Sequence, residues 1–177
     1  MTQPASSQLE LTLDSLYAWV AQLPRERRYL FAVDPGLLTG AALLDITSIS
    51  DNGILKLGSW ELTVDQYFDM AEAVISGLGP DVEVVIEDFH ITKRTSDLSE
   101  APWSLQLIGA TMFLVRRFNA LDFVLQSPGD KPFASNEKLR KVGFWHVGGE
   151  GHANDAYRHA MVYINNRYPR WSKYLLV

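Results

Sequence analysis

Apolar side chains recur at helical spacing between Leu11 and Leu23 (Leu13, Leu16, Trp19, Val20, Leu23) and the pattern stops at Pro24, which predicts a short N-terminal helix. The basic link Arg25-Glu26-Arg27-Arg28 separates it from an apolar run, Tyr29 to Val33, that ends at Asp34-Pro35-Gly36. After Thr39-Gly40 a second run covers Ala41 to Ile49, so the pattern is strand, tight connection, strand. Asp51-Asn52-Gly53 is a hairpin signal, because both central positions of such a turn favour positive φ, and Ile54 to Leu62 supplies a third strand. Three antiparallel strands therefore open the domain.

Val64, Tyr67, Phe68, Ala71, Val74, Ile75 and Leu78 follow at i, i+3, i+4, i+7 until Gly79-Pro80, an amphipathic helix. The β-branched run Val82 to Ile86 predicts a buried strand ending at Glu87-Asp88, and the polar stretch His90 to Glu100 a loop. Pro102 suits the start of a helix from Trp103 to Phe118, whose apolar residues spread around most of its circumference, so one side should face the sheet and the other a partner chain. Phe123 to Gln126 is a further short strand, broken by Ser127-Pro128-Gly129-Asp130, and Glu137 to Val142 makes a turn or two of helix. Gly148, Gly149 and Gly151 lead into a last helix, His152 to Asn166, packed through Ala153, Ala156, Tyr157, Ala160, Met161 and Ile164. This order predicts an α/β domain with an antiparallel start over residues 29–177, residues 1–28 being an extension with a short helix.

Composition narrows the chemistry. At 177 residues with 47% apolar content the chain has the size of one domain, and no apolar run approaches the roughly 18–20 residues that cross a bilayer. Met1 to Glu10 lacks a basic start and apolar stretch, so a soluble cytoplasmic protein is expected. The absence of cysteine excludes disulfides, thiolate metal sites and thiol nucleophiles, leaving carboxylate, imidazole and carbonyl ligands. The net charge of −5 conceals an asymmetry: residues 1–88 hold 4 Lys+Arg against 14 Asp+Glu, residues 89–177 hold 12 against 7. The second half groups its cations at Lys93-Arg94, Arg116-Arg117, Lys138-x-Arg140-Lys141, and Arg158 with Arg167, Arg170 and Lys173, either a phosphate-binding surface or solvated helix faces.

Three carboxylates stand where apolar elements end: Asp34, Glu87 and, in the first turn of the last helix, Asp155. Singly each suits a local role, as turn former, strand end or partner of the helix dipole. If the first and fourth strands are parallel neighbours, however, Asp34 and Glu87 leave the sheet at one edge and the helix can bring Asp155 to them. Such a cluster needs a cation, and hard oxygen ligands select Mg²⁺ or Mn²⁺. His152, Asp155 and His159 share a helix face at i, i+3, i+7. His152 is either a further ligand or proton-transfer group, or a polar residue at a helix start. His159 reads most simply as a solvated surface histidine, and Asp88, one residue along an extended strand and so pointing away from Glu87, is kept as a secondary candidate.

Asp34-Pro35-Gly36-Leu37-Leu38-Thr39-Gly40, then Ile86-Glu87 closing a strand, then His152-Ala153-Asn154-Asp155-Ala156 resemble, in order and spacing, the RuvC-type Holliday junction resolvase family. The resemblance covers most of residues 29–166. It implies a ribonuclease-H-like mixed five-stranded sheet flanked by helices, and a homodimeric endonuclease, bacterial or phage-type, acting on branched DNA (Holliday junctions, forks, flaps) in the cytoplasm, the host's if phage-encoded. Asp34, Glu87, His152 and Asp155 match the family's catalytic, metal-holding positions, with two Mg²⁺ or Mn²⁺ ions per site. Lys131 and Lys138 resemble basic residues near the scissile phosphate, and Phe89 lies where the family places an aromatic that stacks on an unpaired base. Lys93, Arg94, Arg140, Lys141 and Arg158 are the other candidate DNA contacts, and the 103–118 helix the candidate dimer contact. Two other readings are carried. Asp-x-Gly followed by Thr-Gly also resembles a phosphate loop of actin-like ATPases, although Asp51-Asn52-Gly53 supplies no second such loop; the other is a branched-DNA-binding protein without catalysis.

Overall fold

A computed structural model of the chain describes residues 12–49, 53–89 and 103–171. The hairpin positions Asp51 and Asn52, the polar loop with Lys93 and Arg94, and Lys173 lie outside the described residues. The elements in chain order are α1 (Leu13–Val20), β1 (Tyr29–Asp34), β2 (Leu38–Ser48), β3 (Gly53–Thr63), α2 (Val64–Leu78), β4 (Val82–Glu87), α3 (Trp103–Phe118), β5 (Asp122–Gln126), α4 (Asn136–Lys141) and α5 (His152–Arg167), with a 3₁₀ segment at Pro128–Phe133. The five strands form one mixed sheet in the order β3-β2-β1-β4-β5. β1, β2 and β3 are antiparallel neighbours, whereas β4 runs parallel to β1 and β5 parallel to β4. This is the five-stranded mixed sheet, antiparallel then parallel and flanked by helices, that the sequence leads one to expect.

The parallel pairs dictate the layering, since parallel neighbours need long crossovers rather than hairpins. Alternation along the strands then sorts the side chains into two cores. Tyr29, Phe31, Val33, Val82, Val84 and Ile86 face the side covered by α1, α2 and α3. Leu30, Ala32, Ala42, Leu44 and Val85 face α5 and pack against Ala156, Tyr157, Ala160, Met161 and Ile164. The described part of the N-terminal extension joins the first core through α1, which Thr12 caps and whose Leu16 and Val20 are buried, while Arg28 pairs with the buried Glu83 on the α5 face of the sheet. Among the described residues no helix is long and apolar enough to cross a membrane.

β2 begins at Leu38 rather than Ala41, because Thr39 and Gly40 pair with Leu62 and Glu61 of β3. A glycine read locally as part of a turn is thus held in a ladder. Its missing side chain matters for packing, since a Cβ on Gly40 would collide with the backbone carbonyl of His152 at the start of α5. The helix rests directly on the strand at this point. Gly40→Ala is therefore expected to destabilise the fold by about 1–3 kcal/mol, the usual cost of overpacking. Urea unfolding should show a lowered midpoint with an unchanged slope, and a wild-type midpoint would mean that α5 does not depend on this contact.

Candidate functional site

The register of the sheet lines up five residues across all five strands. Asp34 pairs with Gly40 and Gly40 with Glu61; Glu87 pairs with Gln126; and Val33 beside Ile86 brings Glu87 next to Asp34. Residues paired across a sheet point to one face. Here that face is the one α5 covers, so Glu61, Gly40, Asp34, Glu87 and Gln126 form a row beneath the helix.

Each end of the row fastens the helix. Gly148, Gly149 and Gly151 adopt positive φ, which carries the chain sharply into α5. The free N–H groups at that helix start are taken by Glu61, whose carboxylate accepts from Glu150 and Gly151 at 2.7 Å each and from Ala153 at 3.4 Å. Partial burial works against the charged form, but these three donors outweigh it and hold the Glu61 carboxyl below its ordinary range. At the other end Gln126 Oε1 lies 2.5 Å from His159 Nδ1.

Between these ends three carboxylates meet one cation. Lys131, on the 3₁₀ segment, donates from Nζ to Asp34 Oδ1 at 2.8 Å and Asp155 Oδ2 at 2.9 Å, and lies 2.9 Å from Glu87 Oε2. Asp34, Glu87 and Asp155 thus converge as their positions in the sequence suggest. His152 Nδ1 is 3.0 Å from Asp34 Oδ2, with its side chain 37% exposed. Arg158 pairs with Asp155 and also reaches Asn136. Burial, followed by the proton contact with Glu87, pushes the Asp34 carboxyl up despite Lys131. Burial also opposes ionisation of Glu87, but the neighbouring His159 ring, Asp34 and Lys131 outweigh it and bring its carboxyl down to about 2. Burial lowers the Lys131 ammonium, but the carboxylates around it raise it overall above the ordinary lysine range.

His159 is not on the surface. Its side chain is 0% exposed, because one turn beyond Asp155 the same helix face lies against the sheet. One ring nitrogen of His159 and single oxygens of Asp34 and Glu87 lie within 4.8 Å of one another. The backbone N–H of Asp88 continues the strand pairing by donating to the Gln126 carbonyl at 2.7 Å.

The candidate DNA contacts are more dispersed. Lys138 donates to the Phe133 carbonyl at 2.8 Å, Arg140 lies over the Trp145 ring at 4.0 Å, and Lys141 is exposed at the end of α4. Phe89 is half-buried against the core on the α2 and α3 side. A cavity of about 290 Å³ lies between His152, Asp155, Arg158 and Trp145 and reaches the carboxylate cluster only at Asp155. Glu61 and Gln126 carried no motif, and Gly40 stood in one only as the end of the Asp34-to-Gly40 loop, with no sign of its contact with α5; strand alternation, which sets Glu61 opposite to its neighbour Leu62, was the one available signal. The chain matches no known family model and has no significant match among curated proteins.

Glu61→Gln removes the charged acceptor at the start of α5 and is expected to cost about 1–2 kcal/mol at pH 7. Because the Glu61 carboxyl titrates lower in the folded than in the unfolded chain, its contribution is present above roughly pH 4.3 and is lost as pH falls through the folded value. Urea unfolding of both proteins at pH 7 and pH 3 should therefore show a difference that shrinks in acid, and equal differences at the two pH values would refute this role.

Proposed function

We propose that the chain is a metal-dependent endonuclease that hydrolyses phosphodiester bonds in branched DNA. The observation that carries the reading is the convergence of Asp34, Glu87 and Asp155, from two strands and a helix, within 2.9 Å of one positively charged nitrogen. Order and spacing of the motifs around these residues, which resemble those of RuvC-type resolvases, support branched DNA as the substrate class.

The donor set fits a hard divalent ion: three carboxylates, two of them largely buried, with His152 at the rim. Asp34, Glu87, Asp155 and His152 would hold Mg²⁺ or Mn²⁺, which supplies Lewis-acid polarisation of the phosphodiester and charge to offset that of the transition state. His152 is anchored to Asp34 through Nδ1, which leaves its Nε2 for one of two roles, ligand of the ion or proton exchange with the attacking water or the leaving 3′ oxygen. Lys131 and Arg158 bring positive charge to the cluster, which would attract a phosphate. Lys138, Arg140 and Lys141 continue that charge along α4, a path for the DNA backbone.

One observation favours a second reading, a branched-DNA-binding protein without cleavage. Lys131 bridges all three carboxylates and Arg158 pairs with Asp155, so side chains of the chain itself offset much of the charge that an ion would otherwise offset. The two readings separate on four-way junction, fork, flap and linear duplex DNA incubated with and without Mg²⁺ or Mn²⁺. Cleavage that needs the ion supports the nuclease; binding alone supports the alternative. Asp34→Asn and Asp155→Asn should lower cleavage by at least roughly 10²–10³-fold while the variants stay folded and keep most of their DNA affinity. Undiminished cleavage by Asp34→Asn would remove that residue from the mechanism.

A homodimer through α3 belongs to the same proposal. Leu107, Ile108, Thr111 and Val115 are buried against the domain, whereas Trp103 and Leu105 are exposed and Phe113 is 63% exposed. A second copy covering this apolar face would pair two sites for symmetric cuts. Light scattering should give twice the 19.9 kDa chain mass, and Phe113→Glu should shift it to the monomer; a monomeric wild type at micromolar concentration would exclude the dimer.

A further inference from the structure

The hydrolytic scheme leaves one buried group without a task. His159 Nδ1 lies 2.5 Å from Gln126 Oε1, an oxygen that can only accept, so Nδ1 carries the proton. In the neutral ring this leaves a lone pair on Nε2. That atom is buried and makes no hydrogen bond, yet it stands 3.5 Å from Glu87 Oε2. Only a proton on that nitrogen lets the ring favour the Glu87 carboxylate; in the neutral ring a lone pair faces the carboxylate with no donor between them, which is unfavourable, and a cation shared by both would satisfy each. Imidazole with its far N–H given to a carbonyl is also the usual arrangement of a metal-binding histidine. Gln126 is itself fixed, since it pairs with Glu87 across β4 and β5.

We propose that His159 is a nitrogen ligand, through Nε2, of a cation held by Asp34 and Glu87, and that it makes this position select Mn²⁺ over Mg²⁺. Mg²⁺ keeps oxygen ligands and gives up water reluctantly, whereas first-row transition ions accept imidazole readily. Gln126 is the positioning residue that holds the ring in the coordinating tautomer. The inference rests on the metal site proposed above but not on cleavage or on the substrate.

The sequence contains four histidines, which makes a direct test possible. In the full chain carrying H90Q, H146Q and H152Q, His159 is the sole imidazole. Electron spin-echo spectra of Mn²⁺ bound to this protein are expected to show nitrogen coupling. Calorimetry of the wild type should give Mn²⁺ binding at least about 10-fold tighter than Mg²⁺, with most of that preference lost in His159→Gln. Circular dichroism checks that the variants are folded. Should His159→Gln fail to fold, the single-histidine spectrum still decides. Mn²⁺ bound to the single-histidine chain without nitrogen coupling, or an undiminished preference in a folded His159→Gln, overturns the assignment of His159 and leaves the carboxylate site standing. If neither ion binds the wild type, the inference and the metal-dependent reading beneath it both fall, whatever the protein does with DNA.

Discussion

Two carboxylates at the ends of adjacent parallel strands cannot avoid one another. Asp34 and Glu87 point to the same face of the sheet, and neighbouring strands lie only about 4.8 Å apart. Burial beneath α5 removes the water that would screen them, so positive charge has to be brought to the spot. Lys131 brings it in this structure; burial still holds the Asp34 carboxyl up, while the polar neighbours of Glu87 bring its carboxyl down to about 2. Much of the surrounding architecture can be understood as the means of keeping this unfavourable pair in place.

β1 is buried along its whole length at the centre of the sheet, which gives Asp34 a rigid base. β2 contributes a residue without a side chain, so that α5 can settle onto the sheet directly above the row. β3 contributes Glu61, which occupies the N–H groups at the helix start and sets where His152 and Asp155 stand. β5 contributes Gln126, which fixes the ring of His159. Every strand of the sheet thus supplies one member of the row, and a slip of one residue in any ladder would turn that member to the opposite face.

The ammonium of Lys131 has two consequences. It bridges three carboxylates, and the oxygens it touches are those the proposed ion would use. Under the proposed metal binding, ion and lysine would compete for Glu87 Oε2. Charge distribution fits this division of labour: the acidic first half supplies Asp34, Glu61 and Glu87, and the basic second half supplies Lys131, Arg158 and the cations of α4.

Periodicity was enough to place the strands and helices. Alternating or continuous apolar runs bounded by Gly, Pro and Asp are local signals, and a helix such as α2 needs little beyond its own 3.6-residue stripe. The three carboxylates were legible for the same reason, since each ends an element, and parallel strands release their ends at one edge. Glu61, Gly40, Gln126 and the burial of His159 were not legible, because each acquires its role from a neighbour far along the chain: Glu61 from a helix start some ninety residues away, His159 from a strand thirty-three residues before it. Local sequence determined which elements form and which face of each is apolar. Only tertiary structure decided which polar side chains share a face, because strand register and helix placement are set by long-range packing that no short stretch of chain contains.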